Sequence, residues 1–266
     1  MTATAMSNPD SLSGILDRVD SILDAIAAEG AMNLTQIARA TSLPRTTVHR
    51  LLEQMVAKRW VLRIRNEYEI GVRPFHLGTM ARQGHWYFRL ARPHLETLRE
   101  RTRLVVHMGY LDGTDVVWWD KVGDARLSVV PTYVGGRHPA FRTAAGKALL
   151  ASEGPDYIGA HFPQELEHAT RESLQTRDAL LEEAEKVSGE GLSYSRGELL
   201  PHLACVSTPV TVRPVSTSDG HQTATAVSVC GPVERVVDDK SLAQALRSCA
   251  MGILADISHS PWSPKD

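Results

Sequence analysis

One predicted helix carries short polar and basic side chains on one side and a continuous apolar stripe on the other. Val48, Leu51, Leu52 and Met55 recur at i, i+3, i+4 and i+7, which is the spacing of a buried helix face. The polar side chains are of types that bind base edges in a major groove or pair with phosphates. The candidate nucleic-acid contacts of this helix are Arg45, Thr46, Thr47, His49 and Arg50.

The elements around this helix predict a winged helix-turn-helix. A shorter helix precedes it, with Ile37 and Ala38 on its buried side and the cap-type residue Thr35 at its start. Pro44 suits the first turn of the second helix, because a first-turn N–H has no helical partner to lose. Residues 60–70 then alternate with period two around a polar turn, which predicts a β hairpin. The shorter helix and the hairpin add Thr35, Arg63 and Arg65 to the candidate DNA contacts.

Positive charge is concentrated in this segment rather than spread over the chain. The whole sequence has 29 Lys and Arg against 31 Asp and Glu, but positions 39–65 hold seven basic residues and the single acid Glu53. A local basic surface of this kind suits a side that faces phosphates. Two alternatives stay open, a three-helix bundle with a solvated basic face and a basic head that docks a protein or RNA. Short polar side chains beside arginine favour duplex DNA, since RNA readers more often display stacking aromatics.

Length and composition indicate a two-domain globular protein with neither a membrane span nor a leader. The chain has 266 residues, 42% hydrophobic and 23% charged, and no apolar run approaches the roughly 18–20 residues of a transmembrane helix. The N-terminus lacks a basic region and an apolar core, so we expect a cytoplasmic protein with a disordered segment at positions 1–12. Cys205, Cys230 and Cys249 fit neither a disulfide framework nor a metal site, and indicate a reducing compartment.

Three common motifs of nucleotide binding and catalysis do not occur in the sequence. Gly146-Lys147 lacks the upstream glycine of a phosphate-binding loop, and alanine follows the lysine where such a loop has serine or threonine. Glycines do not flank Ser193 or Ser195 as a nucleophile elbow requires. The 11 histidines show no H-E-x-x-H spacing. We therefore predict no enzymatic activity, no catalytic residue, no cofactor and no metal, with a small-molecule enzyme as the remaining alternative.

The second half of the chain predicts a mixed domain of strands and helices. A third short strand is expected at 127–130, and the glycine-rich stretch from Val134 to Pro139 is expected to be a loop. Because the order of elements is not a strict βαβ alternation, the pattern favours an α+β fold over a doubly wound one. The other expected strands are 104–111, 115–122, 191–195, 204–212 and 223–230, and the expected helices are 143–152, 156–162, 177–188 and 241–257.

Five short motifs follow one another along the chain. They are Leu43–Leu52, Gly136…Pro139…Thr143–Ala148, Gly191–Tyr194 with Glu198, Leu203–Val206 with Pro209, and Ala226–Pro232. Together they resemble the IclR family of bacterial transcription regulators, over residues 14–257. The resemblance implies an N-terminal winged helix-turn-helix (13–73), a helical linker (74–90) and a C-terminal GAF-like mixed α/β domain (91–260) that binds a small effector. It also implies homodimers or homotetramers that bind palindromic operators in double-stranded DNA.

The resemblance places an effector pocket beside a predicted helix start. Ala144, Ala145 and Gly146 would present N–H groups there, which form a natural seat for an anion. Basic residues cluster just before this turn, so we expect a small organic acid, with aromatic carboxylates among the candidates. Two alternatives stay open: the basic residues face solvent or hold the loop, and Gly146 serves only close packing. The basic residues in question are Arg137, His138 and Arg142.

Predicted strands supply the remaining pocket residues that the resemblance implies. Cys205, Ser228 and Cys230 match positions that line the pocket in relatives, and Ser195 falls where some relatives carry an acid. The alternative for the two cysteines is a plain buried position in a strand. His107 is a further pocket candidate. The function expected from the whole pattern is ligand-responsive control of a catabolic operon, with repression and activation both open.

Overall fold

The computed structural model describes residues 14–123, 130–216, 220, 222–237 and 239–260. The chain divides into two compact units, residues 1–85 and 86–266. The predicted linker of 74–90 therefore spans two helices, one that ends the first unit and one that opens the second. The disordered segment predicted at 1–12 and residues 127–129 of the predicted third strand lie outside the described residues.

The first unit is a small helical bundle closed by a three-stranded antiparallel sheet of order β1-β3-β2. All four residues of the predicted apolar stripe are buried, together with Ile22, Ile26 and Ile37 from the neighbouring helices. The predicted hairpin is confirmed. A two-residue strand that the sequence did not predict pairs with the second strand of the hairpin. The elements are α1 (Ile15–Glu29), β1 (Met32–Asn33), α2 (Leu34–Thr41), α3 (Arg45–Ala57), β2 (Val61–Ile64), β3 (Glu67–Ile70) and α4 (Val72–Gly84).

The cap of α2 is Asn33, and the capping role predicted for Thr35 is wrong. The Asn33 Oδ1 accepts hydrogen bonds from the N–H groups of Thr35 (3.0 Å) and Gln36 (3.1 Å). In return, Gln36 Oε1 accepts from the Asn33 N–H at 2.8 Å, which completes a capping box. Both residue types are good caps and stand two positions apart, so composition alone could not choose between them. Thr35 lies exposed in the first turn of α2.

The second unit is built on a six-stranded antiparallel sheet of order β6-β5-β4-β9-β8-β7, which confirms the α+β prediction. The segment Arg137–Pro139, predicted as part of a loop, is the edge strand β6 and pairs with β5. A 3-10 turn at Ala140–Arg142 joins it to the next helix. The elements are α5 (Trp86–Thr102), β4 (Val105–Asp112), β5 (Asp115–Val122), β6, α6 (Ala144–Glu153), α7 (Pro155–His161), α8 (Arg177–Glu190), β7 (Ser193–Arg196), β8 (Leu203–Ser216), β9 (Gln222–Pro232), α9 (Val233–Val236) and α10 (Ser241–Ser258).

Helices cover both faces of this sheet. Helices α5 and α10 pack on one face, and α6, α7 and α8 pack on the other. The strand register determines which strand residues share the second face. His107 is the register partner of Ser228, and Cys205 is the register partner of Cys230. Alternation of side chains along the strands thus directs these residues toward α6 rather than α10. No helix in the described part of the chain is long and apolar enough to span a bilayer.

Candidate DNA-reading helix and effector cavity

The predicted DNA contacts on α3 share the solvent side of the helix. Arg45, Thr46, His49 and Arg50 are exposed and Thr47 is half-buried, while Val48 between them is fully buried. The buried stripe fixes the roll of α3 against α1 and α2, so the basic face is held outward by packing. Such a helix presents donors and cations to a major groove without any rearrangement of its core.

A single carboxylate links α3 to the wing. The Glu53 Oε1 lies 3.9 Å from His49 Nε2 and 3.5 Å from Arg63 Nη1, and all three side chains are about half exposed. Solvent screening keeps each of these pairs weak. Arg63 also donates from Nε to the carbonyl oxygen of Arg65 (3.4 Å), and Arg65 takes a left-handed φ of 57° at the wing turn. The geometry therefore aligns the exposed wing arginines beside the reading helix.

A small cavity lies in the second unit between the sheet and the start of α6. Its volume is about 30 Å³ and its walls are mainly apolar, with Trp118, Val130 and Leu199 among them. That space holds about one or two water molecules. Eight of the predicted pocket residues line it, and three lie elsewhere. The lining ones are His107, Arg142, Ala144, Ala145, Ser195, Cys205, Ser228 and Cys230; the others are Arg137, His138 and Gly146.

The start of α6 lies against this cavity, since Thr143, Ala144 and Ala145 line it. Thr143 caps the helix: its Oγ1 accepts from the Gly146 N–H at 3.0 Å, and its carbonyl accepts from the Lys147 N–H at 3.0 Å. Ala144 and Ala145 hold the two preceding N–H groups, for which a helix start provides no internal acceptor. Their position in the first turn of α6 and the helix dipole favour a negative charge at this point.

Gly146 serves close packing, as the alternative interpretation held. A Cβ at this position would collide with the backbone of Ala140 in the preceding 3-10 turn. Its N–H is already bound by Thr143, so it has no donor left for a ligand. Gly146 thus lets α6 approach the turn that carries Arg142, and its predicted role as an anion contact is wrong.

The three basic residues predicted for the pocket have different environments. Arg137 is exposed and pairs with Asp112 (Nη1–Oδ2, 2.7 Å) and Asp115 (Nε–Oδ2, 3.2 Å), away from the cavity. His138 accepts from Trp118 Nε1 at 2.8 Å, so it orients a wall of the cavity without lining it. Burial lowers the pKa of His138, which keeps the ring neutral as that bond requires. Arg142 alone reaches the cavity.

Arg142 is held by the loop that precedes α8. Its Nε donates to the backbone carbonyl of Glu167 (3.0 Å), and Nη2 donates to the same oxygen. The carbonyl of Arg142 accepts from the Ser195 hydroxyl at 3.1 Å, which fixes the turn against β7. A guanidinium has five N–H donors, and these contacts use two of them. Nη2 of Arg142 also lies 3.7 Å from Oε2 of Glu167, whose side chain is 78% exposed. Arg142 is therefore a positioned cation at the cavity wall with one exposed carboxylate beside it.

His107 is a polar group buried at the cavity. The ring is fully buried, and burial, with the positive charge of Lys121, lowers its pKa to about 3. Its Nε2 lies 2.7 Å from Thr132 Oγ1, while Nδ1 has no hydrogen-bond partner among the described residues. Lys121 Nζ donates to the carbonyls of Val130 (2.9 Å) and Thr132 (2.7 Å). These bonds hold the segment 130–132 over the cavity.

Cys205 and Cys230 form a disulfide, and the expectation that the cysteines fit no disulfide is wrong. The two residues are register partners on β8 and β9, with Cα atoms 4.2 Å apart. Their separation of 25 residues gave no indication of pairing, because only the register of the strands brings them together. The hydroxyl of Ser228 lies 3.9 Å from the Cys230 Sγ on the same strand face.

A buried ion cluster beside the cavity was missed by the sequence analysis. Lys147, only 2% exposed, donates from Nζ to Glu198 Oε1 (2.8 Å) and Glu183 Oε1 (3.0 Å). The Ser173 hydroxyl donates to the Glu198 carbonyl at 2.7 Å, so side chain and backbone both fix the loop before β8. The next residue in that loop, Leu199, lines the cavity. In the sequence, Glu198 was recognised only as part of the motif that begins at Gly191, and its pairing with Lys147 was not predicted.

An outward basic reading helix with a wing, attached in sequence to a sheet domain with a cavity, defines a ligand-responsive DNA-binding regulator. Two family descriptions match the chain: the IclR helix-turn-helix domain at residues 15–64 and the bacterial transcriptional regulator IclR C-terminal domain at 83–255. The protein belongs to the IclR family of transcriptional regulators.

Characterised relatives share about a quarter of their residues with this chain. The transcriptional repressor IclR of Escherichia coli is 27% identical over 245 residues, 90% of this chain and 86% of that protein. The regulator KdgR of the same organism is 27% identical over 205 residues, covering 76% and 78%.

Solved structures share the fold over most of the chain. A putative transcriptional regulator from Rhodococcus sp. RHA1 superposes with a TM-score of 0.75 at 26% identity, over 92% of this chain and 98% of that one. An IclR homologue from Microbacterium hydrocarbonoxydans, solved in complex with 4-hydroxybenzoate, gives a TM-score of 0.77 at 23% identity, over 93% and 100%.

Proposed function

We propose that this regulator binds a small organic acid, preferably an aromatic carboxylate, at the start of α6. The observation that carries the proposal is a cavity with mainly apolar walls that also include hydrogen-bond donors. These donors are the N–H groups of Ala144 and Ala145 and the guanidinium of Arg142. A carboxylate would accept hydrogen bonds from these groups, while Trp118 and Leu199 would cover its apolar part. The relative solved with 4-hydroxybenzoate supports an aromatic acid as the first compound to test.

The cavity has to enlarge before it can hold such an acid. Its volume of about 30 Å³ is far below the roughly 300–1,000 Å³ of typical ligand sites. The wall at 130–132 is held by three hydrogen bonds, from Lys121 and between His107 and Thr132. Displacing that wall would free Nε2 of His107 and expose more of the pocket. Effector binding is thereby coupled to a structural change, as a regulator requires.

A ligand panel with two matched arginine variants tests the effector class. We expect benzoate and 4-hydroxybenzoate to raise the melting temperature, and benzyl alcohol and benzylamine to leave it unchanged. Arg142→Ala should weaken benzoate binding at least tenfold, since a charge-assisted hydrogen bond contributes about 1.5–3 kcal/mol. Arg137→Ala removes the same charge outside the cavity and should bind benzoate like the wild type. Stabilisation by only neutral or cationic compounds would contradict the proposal.

We further propose that the protein acts as at least a dimer on a palindromic operator, because one winged helix contacts too few base pairs for a genomic target. The exposed apolar residues Ile15 (54%), Phe75 (68%) and Met80 (69%) of α1 and α4 support a head-to-head surface. Ile22 of α1 is fully buried in the core of its own unit, so it takes no part in this surface. A 29 kDa species in sedimentation at micromolar concentration, with and without operator, would reject the dimer.

A further inference from the structure

The two cysteines at the effector cavity suggest a second chemical input. We propose that Cys205 and Cys230 are a reversible thiol–disulfide site, and that the reduced form of this site binds the effector more tightly than the disulfide form does. The proposal rests on the proposed effector cavity, which both residues line. It adds a redox input to the ligand input at the same place.

The position of the disulfide links its redox state to the cavity. The bond ties β8 to β9 where the two strands form the cavity floor, with Cα atoms 4.2 Å apart. A disulfide fixes both side chains and has no S–H group. Reduction gives two independent side chains, each with a weak S–H donor that can turn toward a bound carboxylate. The reduced floor is therefore both more adaptable and richer in donors.

The environment of the cysteines permits exchange with a small external thiol. Cys205 is half-buried whereas Cys230 is only 3% exposed, so Cys205 is the more accessible of the two residues for attack by a thiol. Cys249 on α10 packs in the core on the opposite face of the sheet, and burial raises the pKa of its thiol to about 12. Cys249 is thus excluded as an internal nucleophile, and the exchange partner has to come from solution.

The exchange balances with two molecules of a small thiol such as glutathione. The first thiolate attacks the Cys205 sulfur, forms a mixed disulfide and releases Cys230 as the thiolate, which takes up a proton. The second thiolate attacks the sulfur of the added thiol, releases Cys205 and leaves as the oxidised small disulfide. Two electrons and two protons end on the cysteines. A bacterial regulator works on the chromosome, where disulfides are typically transient and redox-sensing.

Thiol counting in glutathione buffers of different ratio tests whether the site is reversible. The full chain is equilibrated, quenched in acid, unfolded and alkylated with N-ethylmaleimide, and its mass is measured. We expect one modified cysteine in the oxidised state and three in the reduced state. Cys249→Ser should have no modified cysteine in the oxidised state and two in the reduced state. Cys205→Ser should have two modified cysteines in every buffer. A wild-type chain with the same count in all buffers would overturn the proposal.

Benzoate titration of the oxidised and reduced protein tests the coupling. We expect at least fivefold tighter binding to the reduced form, in the wild type and in Cys249→Ser, and no redox dependence in the Cys205→Ser, Cys230→Ser double variant. Equal affinity in both forms of the wild type would overturn the coupling. If no acid binds either form, the effector class fails separately. The redox proposal is then decided by DNA: affinity for the protein's own upstream region has to differ at least threefold between the two forms, and a smaller difference would overturn it.

Discussion

Replacing Lys147 with methionine tests the buried ion cluster that holds the cavity loop. Methionine keeps most of the length of the lysine stem and removes the charge. Glu198, whose side chain is 10% exposed, would then be a buried carboxylate without a cation, and its Oε2 already has no partner among the described residues. Removing one partner of a buried pair costs about 3–5 kcal/mol. Because Glu183 is 25% exposed and can be solvated, we expect the lower end of that range at pH 7.

The cost should depend on pH with a defined sign. Burial raises the pKa of Glu198 above its ordinary value, and Lys147 opposes that rise. Without the lysine, the folded-state pKa of Glu198 rises further, while the unfolded value stays near 4.5. A carboxyl with a raised folded pKa contributes its stability when protonated, below the unfolded pKa, and loses it as the pH rises through the folded pKa. The penalty in Lys147→Met should therefore be larger at pH 7 than at pH 5.

Urea denaturation of four proteins measures this effect: the wild type, Lys147→Met, Glu198→Gln and the double variant. The double variant replaces the ion pair with a neutral one, so it should recover about 2 kcal/mol relative to the sum of the single costs. A cost below about 1 kcal/mol for Lys147→Met, or costs that simply add in the double variant, would refute the account. So would a penalty that does not change between pH 7 and pH 5.

Two backbone features give further predictions, each with a matched control. Gly146→Ala should destabilise the second unit by about 1–3 kcal/mol, because its Cβ collides with the backbone of Ala140; Gly78→Ala in α4 has open space and should gain about 0.5–1 kcal/mol, both measured by chemical denaturation. Asn33→Ala should cost the first unit about 1 kcal/mol through the lost cap of α2, whereas Thr35→Ala should change its melting temperature little. Equal effects within either pair would contradict the geometry.

The sequence predicted features whose cause is local. The apolar stripe of α3 and the period-two hairpin depend on residues that are close in sequence, so both were predicted correctly. The disulfide did not, because residues 25 positions apart meet only through the register of β8 and β9. Lys147 was also missed, since a lysine is almost never buried unless it is paired, and its partners Glu183 and Glu198 are distant in sequence.

The pocket shows the same limit. Arg137 and Arg142 are five positions apart and equally basic, yet one pairs with Asp112 and Asp115 on the surface and the other lines the cavity. Arg137 lies on strand β6 and Arg142 ends the 3-10 turn, so the two side chains occupy different environments. Neither of these short elements has a strong sequence pattern. Similarity to a family pointed to the start of α6, where the structure has a cavity. The individual side chains required the three-dimensional structure.

Binding of the protein's own upstream DNA by the wild type and by Arg50→Ala tests the central claim most directly. Gel shifts at several salt concentrations should show specific binding by the wild type that weakens as salt rises, and little binding to RNA of the same sequence. Arg50→Ala should lose about 1–3 kcal/mol, about 5- to 150-fold, if the arginine reads a guanine. Arg171→Ala, an equal charge change at an exposed site of the second unit, should bind like the wild type. Unchanged DNA binding by a folded Arg50→Ala protein would contradict the assignment of α3 as the reading helix.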